Sequence, residues 1–184
     1  MLFNRVVSFV TFFLSINSFT LANPVEKRGN AEIENVLTTL QSSTDIIMPQ
    51  IKALVTNGNT SDTTVTPLIN QLVETFSTAR DSLLALNTGT VSTTKRQSAN
   101  DIANLSGNII EEVAQALKGL AATTVPSLSL LLSSVDIILD EFLVALEIDL
   151  SGVLTLISSI FVGISALLYS VGLPLTALLL DGNL

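Results

Sequence analysis

Three stretches of the chain place large apolar residues in alternating steps of four and three, the spacing of one face of an α-helix. These stretches are residues 33–54, 65–86 and 102–120, and polar residues occupy the opposite faces. Pro49 lies inside the first stretch. We expect it to kink that helix without ending it, because the apolar spacing continues beyond it.

The next two segments are apolar on most sides. In the fourth, residues 127–149, only a narrow polar strip interrupts the apolar surface: Ser129, Ser133, Asp136, Asp140 and Glu147. The fifth, residues 150–180, contains no charged residue, and Gly172 and Pro174 are expected to end its main helix. Helices of this kind are buried on most sides or contact apolar material.

Together these patterns predict an all-α fold, a bundle of about five helices in one domain with a very apolar C-terminal helix. The C-terminal segment has three interpretations. It is long enough to span a membrane at 153–172, but no Lys or Arg follows Lys118 to anchor it. A lipid-anchor signal at Ser151-Gly152 lacks a polar spacer. The favoured interpretation is a central helix surrounded by the other four.

The N-terminus predicts secretion. A positive start, a short apolar run and small residues before Ala22 are typical of a cleaved signal peptide, residues 1–22. Residues 23–28 then form a short pro-segment ending in the dibasic pair Lys27-Arg28, which leaves a single helical domain at 29–184. Residues 29–184 contain five bases and fifteen acids, so their net charge is −10.

Two further patterns bear on modification in the secretory pathway. Asn59 and Asn104 begin N-x-S/T sequences, which are acceptors for N-linked glycans. A second dibasic pair, Lys95-Arg96, is interpreted as the solvated end of a loop, because a cut there would divide the domain between helices.

Composition removes most kinds of chemistry. The 184 residues include no His, Cys or Trp, which excludes an ordinary zinc site, a thiol nucleophile and a Ser-His-Asp triad. The negative net charge argues against nucleic-acid binding. Asp136 and Asp140 share a helix side and offer at most weak cation binding. We therefore expect no enzyme activity, no resident metal and no cofactor.

The apolar surface on the last two segments suggests three outcomes: a plain core, a lipid cavity, or an exposed patch that adsorbs to hydrophobic material. The sequence does not choose between them. The candidate ligand contacts are the large apolar residues of these segments: Leu132, Leu139, Phe142, Leu156, Ile160 and Leu167.

The order of features resembles a known fungal family. A secretion signal, a short pro-segment, cysteine-free amphipathic helices and a Leu-rich ending such as 146–154 look like the hydrophobic surface-binding protein A family, which is related to cell-wall galactomannoproteins. The resemblance implies a secreted, non-enzymatic helical protein that binds hydrophobic surfaces or lipids such as fatty acids. A secreted polyester hydrolase is an implied partner.

The resemblance places the protein outside the cell and leaves open whether it is free or cell-wall associated. A different class of function also stays open at this point: a structural protein tethered to membrane or cell wall through its apolar C-terminal segment.

Overall fold

The computed structural model describes residues 26–86 and 96–182, with side chains for 32–86 and 99–182. The described residues are helical and contain no strand, which confirms the all-α prediction. They form seven helices rather than about five: α1 Glu26–Thr56, α2 Asp62–Leu86, α3 Arg96–Leu117, α4 Leu128–Asp149, α5 Val153–Ile160, α6 Ile164–Val171 and α7 Pro174–Leu180.

The first four helices run alternately up and down, and the loops at one end are tied together. Thr60, between α1 and α2, donates to the hydroxyl of Thr124, between α3 and α4, at 2.9 Å. At the same end, the Asp62 carboxylate accepts hydrogen bonds from the backbone N–H and the hydroxyl of Ser127, at 3.1 and 2.7 Å. These bonds join the starts of α2 and α4, which therefore run parallel.

The three short C-terminal helices close the bundle. Helix α1 packs against α2 and α3, and α2 packs against α4. The space between α3 and α4 is occupied by the last segment, since α5 and α6 pack against α3 while α5 and α7 pack against α4. The C-terminal segment is therefore one side of the bundle. The expectation that it forms a central helix surrounded by the other four was wrong.

The apolar stripes predicted for the first three helices are confirmed as the core. Nearly all of their members are buried: Ile33, Leu37, Leu40, Ile47, Ile51, Val65, Ile69, Leu72, Phe76, Ala79, Leu83, Ile102, Ile109, Val113 and Ala116. Thr44 and Ser106, the polar members, are also buried, and each donates its hydroxyl to a carbonyl of its own helix. Helix α1 continues through Pro49 to Thr56, as expected.

The single long C-terminal helix that the sequence predicts is not found. Gly152, Gly163 and Gly172 all have positive φ, between 85° and 91°, a conformation that side-chain-bearing residues adopt only at a cost. Each glycine interrupts the chain at a helix boundary. Gly172 ends α6 and Pro174 begins α7, which agrees with the predicted end of the main helix, but the break around Gly163 was not foreseen.

Within 26–86 and 96–182, no single helix is long and apolar enough to cross a membrane. One pair, α4 with α5, reaches that length and composition jointly, but the two helices meet at a bend of 118°. Ala22 lies outside the described residues. Lys27 and Arg28 belong to the first turn of α1, and their side chains are outside the description.

Candidate hydrophobic surface on helix α4

Not all of the polar strip of α4 faces solvent, because two of its carboxylates, Asp136 and Glu147, accept hydrogen bonds from the C-terminal helices. Asp136 is only 3% exposed. Its two carboxylate oxygens accept hydrogen bonds from the backbone N–H groups of Leu175 and Thr176, each at 2.9 Å, and the Thr176 hydroxyl donates at 2.8 Å. These groups lie at the start of α7, so Asp136 caps that helix from a neighbouring one.

Glu147 does the same for α5. Its two oxygens accept from the N–H groups of Gly152 at 2.6 Å and Leu154 at 3.0 Å. The residues at the N-cap positions of α5 and α7 are Gly152 and Leu173, which provide no side-chain acceptor. Buried helix starts need acceptors for their free N–H groups, and the two carboxylates of α4 supply them.

With Asp136 and Glu147 engaged by the C-terminal helices, the exposed side of α4 carries four large aliphatic residues beside its exposed serines and Glu141. Leu130 is 73% exposed, Ile137 47%, Val144 41% and Ile148 64%. The steps between them are seven, seven and four residues, close to two, two and one helical turns, so these side chains lie on one side of the helix. We call these four residues the α4 stripe. It spans about 27 Å, given a rise of about 1.5 Å per residue.

An ion-pair cluster borders the α4 stripe on the side of α2. Arg80 of α2 forms an ion pair with Glu141, which lies beside the stripe, and a second one with Asp81 at 2.8 Å. These carboxylates raise the pKa of Arg80 above its ordinary value, so its charge is fixed. Leu84, one turn beyond Arg80, is 53% exposed and extends the apolar surface onto α2.

Asp140 borders the stripe on the other side. One of its oxygens, Oδ1, is buried and has no hydrogen-bond partner among the described residues. Burial raises the pKa of the Asp140 carboxyl, and the nearby carboxylates of Asp136 and Glu141 raise it further. Because both Asp136 oxygens are engaged by α7, the two aspartates do not form an open cation site. No group of three or more potential metal ligands occurs in the described part of the chain.

The six predicted ligand contacts fall into different environments. Leu139 and Phe142 are fully buried, and the Phe142 ring packs edge-on against Phe76 with centroids 5.3 Å apart. Leu132, Leu156 and Leu167 are partly buried against the core, and Ile160 is 40% exposed. The structure therefore does not gather these six side chains into one exposed surface.

A separate open groove of about 500 Å³ lies between α1 and α2, and none of the six predicted contacts lines it. Its floor is apolar, with Val36, Leu40 and Ala79. The walls carry hydroxyls, each of which donates to the carbonyl four residues earlier on its own helix: Thr39, Ser43, Thr75, Thr78 and Ser82. Glu74 is the only ionisable residue in this lining, so the groove offers an anion no compensating charge.

Both predicted glycan acceptors have exposed side chains. Asn59 lies in the loop between α1 and α2. Asn104 lies within α3 and donates to the carbonyl of Asn100 at 2.9 Å, while the third residue of its motif, Ser106, is fully buried.

Comparison with known proteins gives one fungal relative to report. No protein-family model matches the chain. Fruiting body differentiation protein 16 of Flammulina velutipes is 40% identical over 93 residues, which cover 45% of this chain and 69% of that protein. The chain belongs to the family of this fungal protein. The relative's name describes a developmental context and states no ligand, so the surface on α4 is interpreted from its own geometry.

The α4 stripe was not predicted from the sequence, because local pattern does not show that Asp136 and Glu147 bind the starts of other helices. A signal was present: α5 and α7 start at Gly152 and Leu173, which cannot cap a helix with a side chain. Acceptors then have to come from elsewhere in the chain: the acids of α4 are the nearest in sequence to the start of α5, whereas Asp181 is nearer to the start of α7. Leu130, Ile137 and Val144 recur every seven residues in the sequence, so they share one side of the helix whichever side faces outward.

Proposed function

We propose that this protein is a non-enzymatic binder of hydrophobic surfaces and that it attaches through the α4 stripe. The observation that carries the proposal is the line of four exposed aliphatic side chains on a single helix. Exposed apolar residues are common when scattered, whereas several on one face of a helix are typical of a contact surface, and on this face the polar Ser134 and Glu141 lie between them.

The shape of the stripe favours adsorption to an extended surface over capture of a single molecule. The four side chains lie on the outward side of a straight helix segment about 27 Å long. An extended apolar surface can contact all of them at once and remove their area from water, at about 25 cal/mol per Å² before ordering costs.

An ionised fatty acid is a less favoured ligand. The α1–α2 groove has room for an alkyl chain, but its lining contains Glu74 and no Lys or Arg. A carboxylate placed there would meet a like charge, and the wall hydroxyls already donate to their own helix. A neutral lipid would avoid this cost. The proposed ligands of this groove are therefore uncharged lipids, and the groove does not recognise a carboxylate.

The proposed site of action is outside the cell, on the basis of the N-terminal sequence and the two exposed acceptor asparagines. Recruitment of a secreted polyester hydrolase to the bound surface is part of the same proposal. The α4 stripe supports it only in that it would bring the protein onto such a surface.

Adsorption to a methyl-terminated monolayer, followed by quartz-crystal microbalance, tests the proposal, with a hydroxyl-terminated monolayer as reference surface. The variant L130S/I148S removes the two most exposed members of the stripe. We expect its affinity for the methyl surface to fall about tenfold, equivalent to about 1.4 kcal/mol. Binding of the unaltered protein to both monolayers alike would contradict the proposal.

The chain offers a matched control for this variant. Ile46 is 63% exposed, as much as Ile148, but it lies on α1, which packs against α2 and α3. We expect I46S to adsorb like the unaltered protein. An equal loss from I46S and L130S/I148S would show that general surface hydrophobicity, and not the stripe, drives adsorption.

A further inference from the structure

Charged groups border the α4 stripe on both sides, but only those on the α2 side are compensated. There, Glu141 and Asp81 share the guanidinium of Arg80. On the opposite side lies Asp140, for which no Lys or Arg among the described side chains forms an ion pair. The difference matters for adsorption, because a surface that excludes water penalises an unpaired charge far more than a paired one.

Asp140 lies close enough to the α4 stripe for its carboxyl to lose water when the stripe is covered. Residues three and four apart on a helix are neighbours, so Asp140 lies beside Ile137 and Val144 of the stripe and beside Asp136 on its inner side. Its Oδ1 is already buried without a hydrogen-bond partner among the described residues. Further loss of water on that side of α4 acts directly on this carboxyl.

No neighbouring helix supplies a compensating positive charge. Helices α5, α6 and α7 contain no Lys, Arg, Asp or Glu, and Tyr169 is their one titratable residue. Asp181, just after α7, is a further acid. On α4 itself, Asp136, Glu141, Glu147 and Asp149 are acidic, and on α2 the charged groups are Asp62, Glu74, Asp81 and Arg80, the last of which is bound to Glu141 and Asp81.

We propose that Asp140 is a proton-dependent switch for adsorption: the stripe binds an apolar surface strongly when this carboxyl is protonated and weakly when it is ionised. The inference rests on the proposed function. Covering the stripe disfavours the charged form, so binding is coupled to uptake of a proton by Asp140. Reciprocally, a fall in pH strengthens binding.

The pKa of Asp140 sets where this coupling acts. In the free protein, burial and two carboxylates already raise that pKa above its ordinary value of 3.8. Adsorption raises it again, and each unit of that second increase corresponds to about a tenfold change in affinity between the two protonation states. The coupling therefore operates between the pKa of Asp140 in the free protein and its higher pKa in the adsorbed protein, both of which lie above 3.8.

The experiment compares adsorption of three full-chain proteins to the uncharged methyl-terminated monolayer, from acidic to neutral pH. D140N carries a side chain of the same shape that cannot ionise. D45N removes one negative charge from an exposed position on α1, so it matches the change in net charge. Far-UV circular dichroism establishes that all three retain the same helix content.

At neutral pH we expect D140N to bind about tenfold more tightly than the unaltered protein, equivalent to one unit of pKa displacement. At acidic pH the two should bind alike, and D45N should follow the unaltered protein at every pH. A D140N profile that parallels the unaltered protein throughout, or an equal gain from D45N, would overturn the switch and leave the proposed function standing. Failure of all three proteins to bind at any pH would overturn both.

Discussion

Helices α1 to α3 and helix α4 use their polar faces in opposite ways. In the first three helices the polar residues face solvent and the apolar stripe faces the core, as an amphipathic pattern predicts. In α4 the buried Asp136 and the half-buried Glu147 bind the starts of α7 and α5, while Leu130 and Ile148 face outward. A polar residue on a helix therefore either faces solvent or accepts hydrogen bonds from another chain segment.

The largest effect that sharpens this comparison concerns Asp136. Replacing it in D136A leaves the buried N–H group of Thr176 and the part-buried N–H group of Leu175 without an acceptor, and the free energy of unfolding should fall by about 3 kcal/mol. Urea unfolding followed by circular dichroism measures the change. Amide hydrogen exchange should also show loss of protection at the start of α7 before other helices open.

The control for D136A is D45A, which removes an exposed acid from α1 and should change stability by no more than about 0.5 kcal/mol. Equal losses in the two variants would mean that the acids of α4 are ordinary surface charges after all.

A smaller loss is expected for E147A. Glu147 accepts two N–H groups at the start of α5 but is only partly buried, so water can replace some of its hydrogen bonding. The free energy of unfolding should fall by about 1 to 2 kcal/mol, in the range of other helix caps. A loss as large as that of D136A would show that burial does not separate the two caps; no loss would show that α5 is held by packing alone.

The smallest effect has the opposite sign and concerns Asp140, the carboxylate of the polar strip that caps no helix. Its folded-state pKa is raised, so the folded protein binds a proton more tightly than the unfolded chain, and stability falls as pH rises through that pKa. D140N should therefore be more stable than the unaltered protein at neutral pH, and the advantage should vanish at acidic pH. The gain is less than about 1 kcal/mol, because water screens a carboxyl that is only partly buried.

Thermal unfolding at neutral and acidic pH measures this prediction without any apolar surface present. A D140N protein that is less stable than the unaltered one at neutral pH would show that the ionised carboxylate has a stabilising partner.

Much of the core was predictable from local pattern. The four-and-three spacing on α1, α2 and α3 identified buried residues such as Leu37, Phe76 and Val113, because a long amphipathic helix has only one face that it can bury. The start of α4 after Pro126 was equally local. The candidate site was predicted less well, since Leu139 and Phe142 proved to be core residues and the stripe was not foreseen.

The break-up of the C-terminal segment shows why the rest was harder. Its uniform apolar composition favours no particular helix face, so glycine positions and neighbouring helices determine the path. Phe161, between α5 and α6, packs against Gly107 of α3 so closely that a Cβ at this position would clash with the ring. Such a contact joins positions more than fifty residues apart and leaves no trace in local periodicity.

The sequence by itself determined that the chain is helical, where its first four helices lie, and which residues of α1 to α3 are buried, because these follow from spacing within a few turns. Only the tertiary structure decided which side of α4 is outward. That choice depends on N–H groups at Leu175, Thr176, Gly152 and Leu154 that need acceptors once the short helices are packed against α4. The carboxylates of Asp136 and Glu147 reach these N–H groups only when they face the short helices. The α4 stripe then lies on the exposed side of α4.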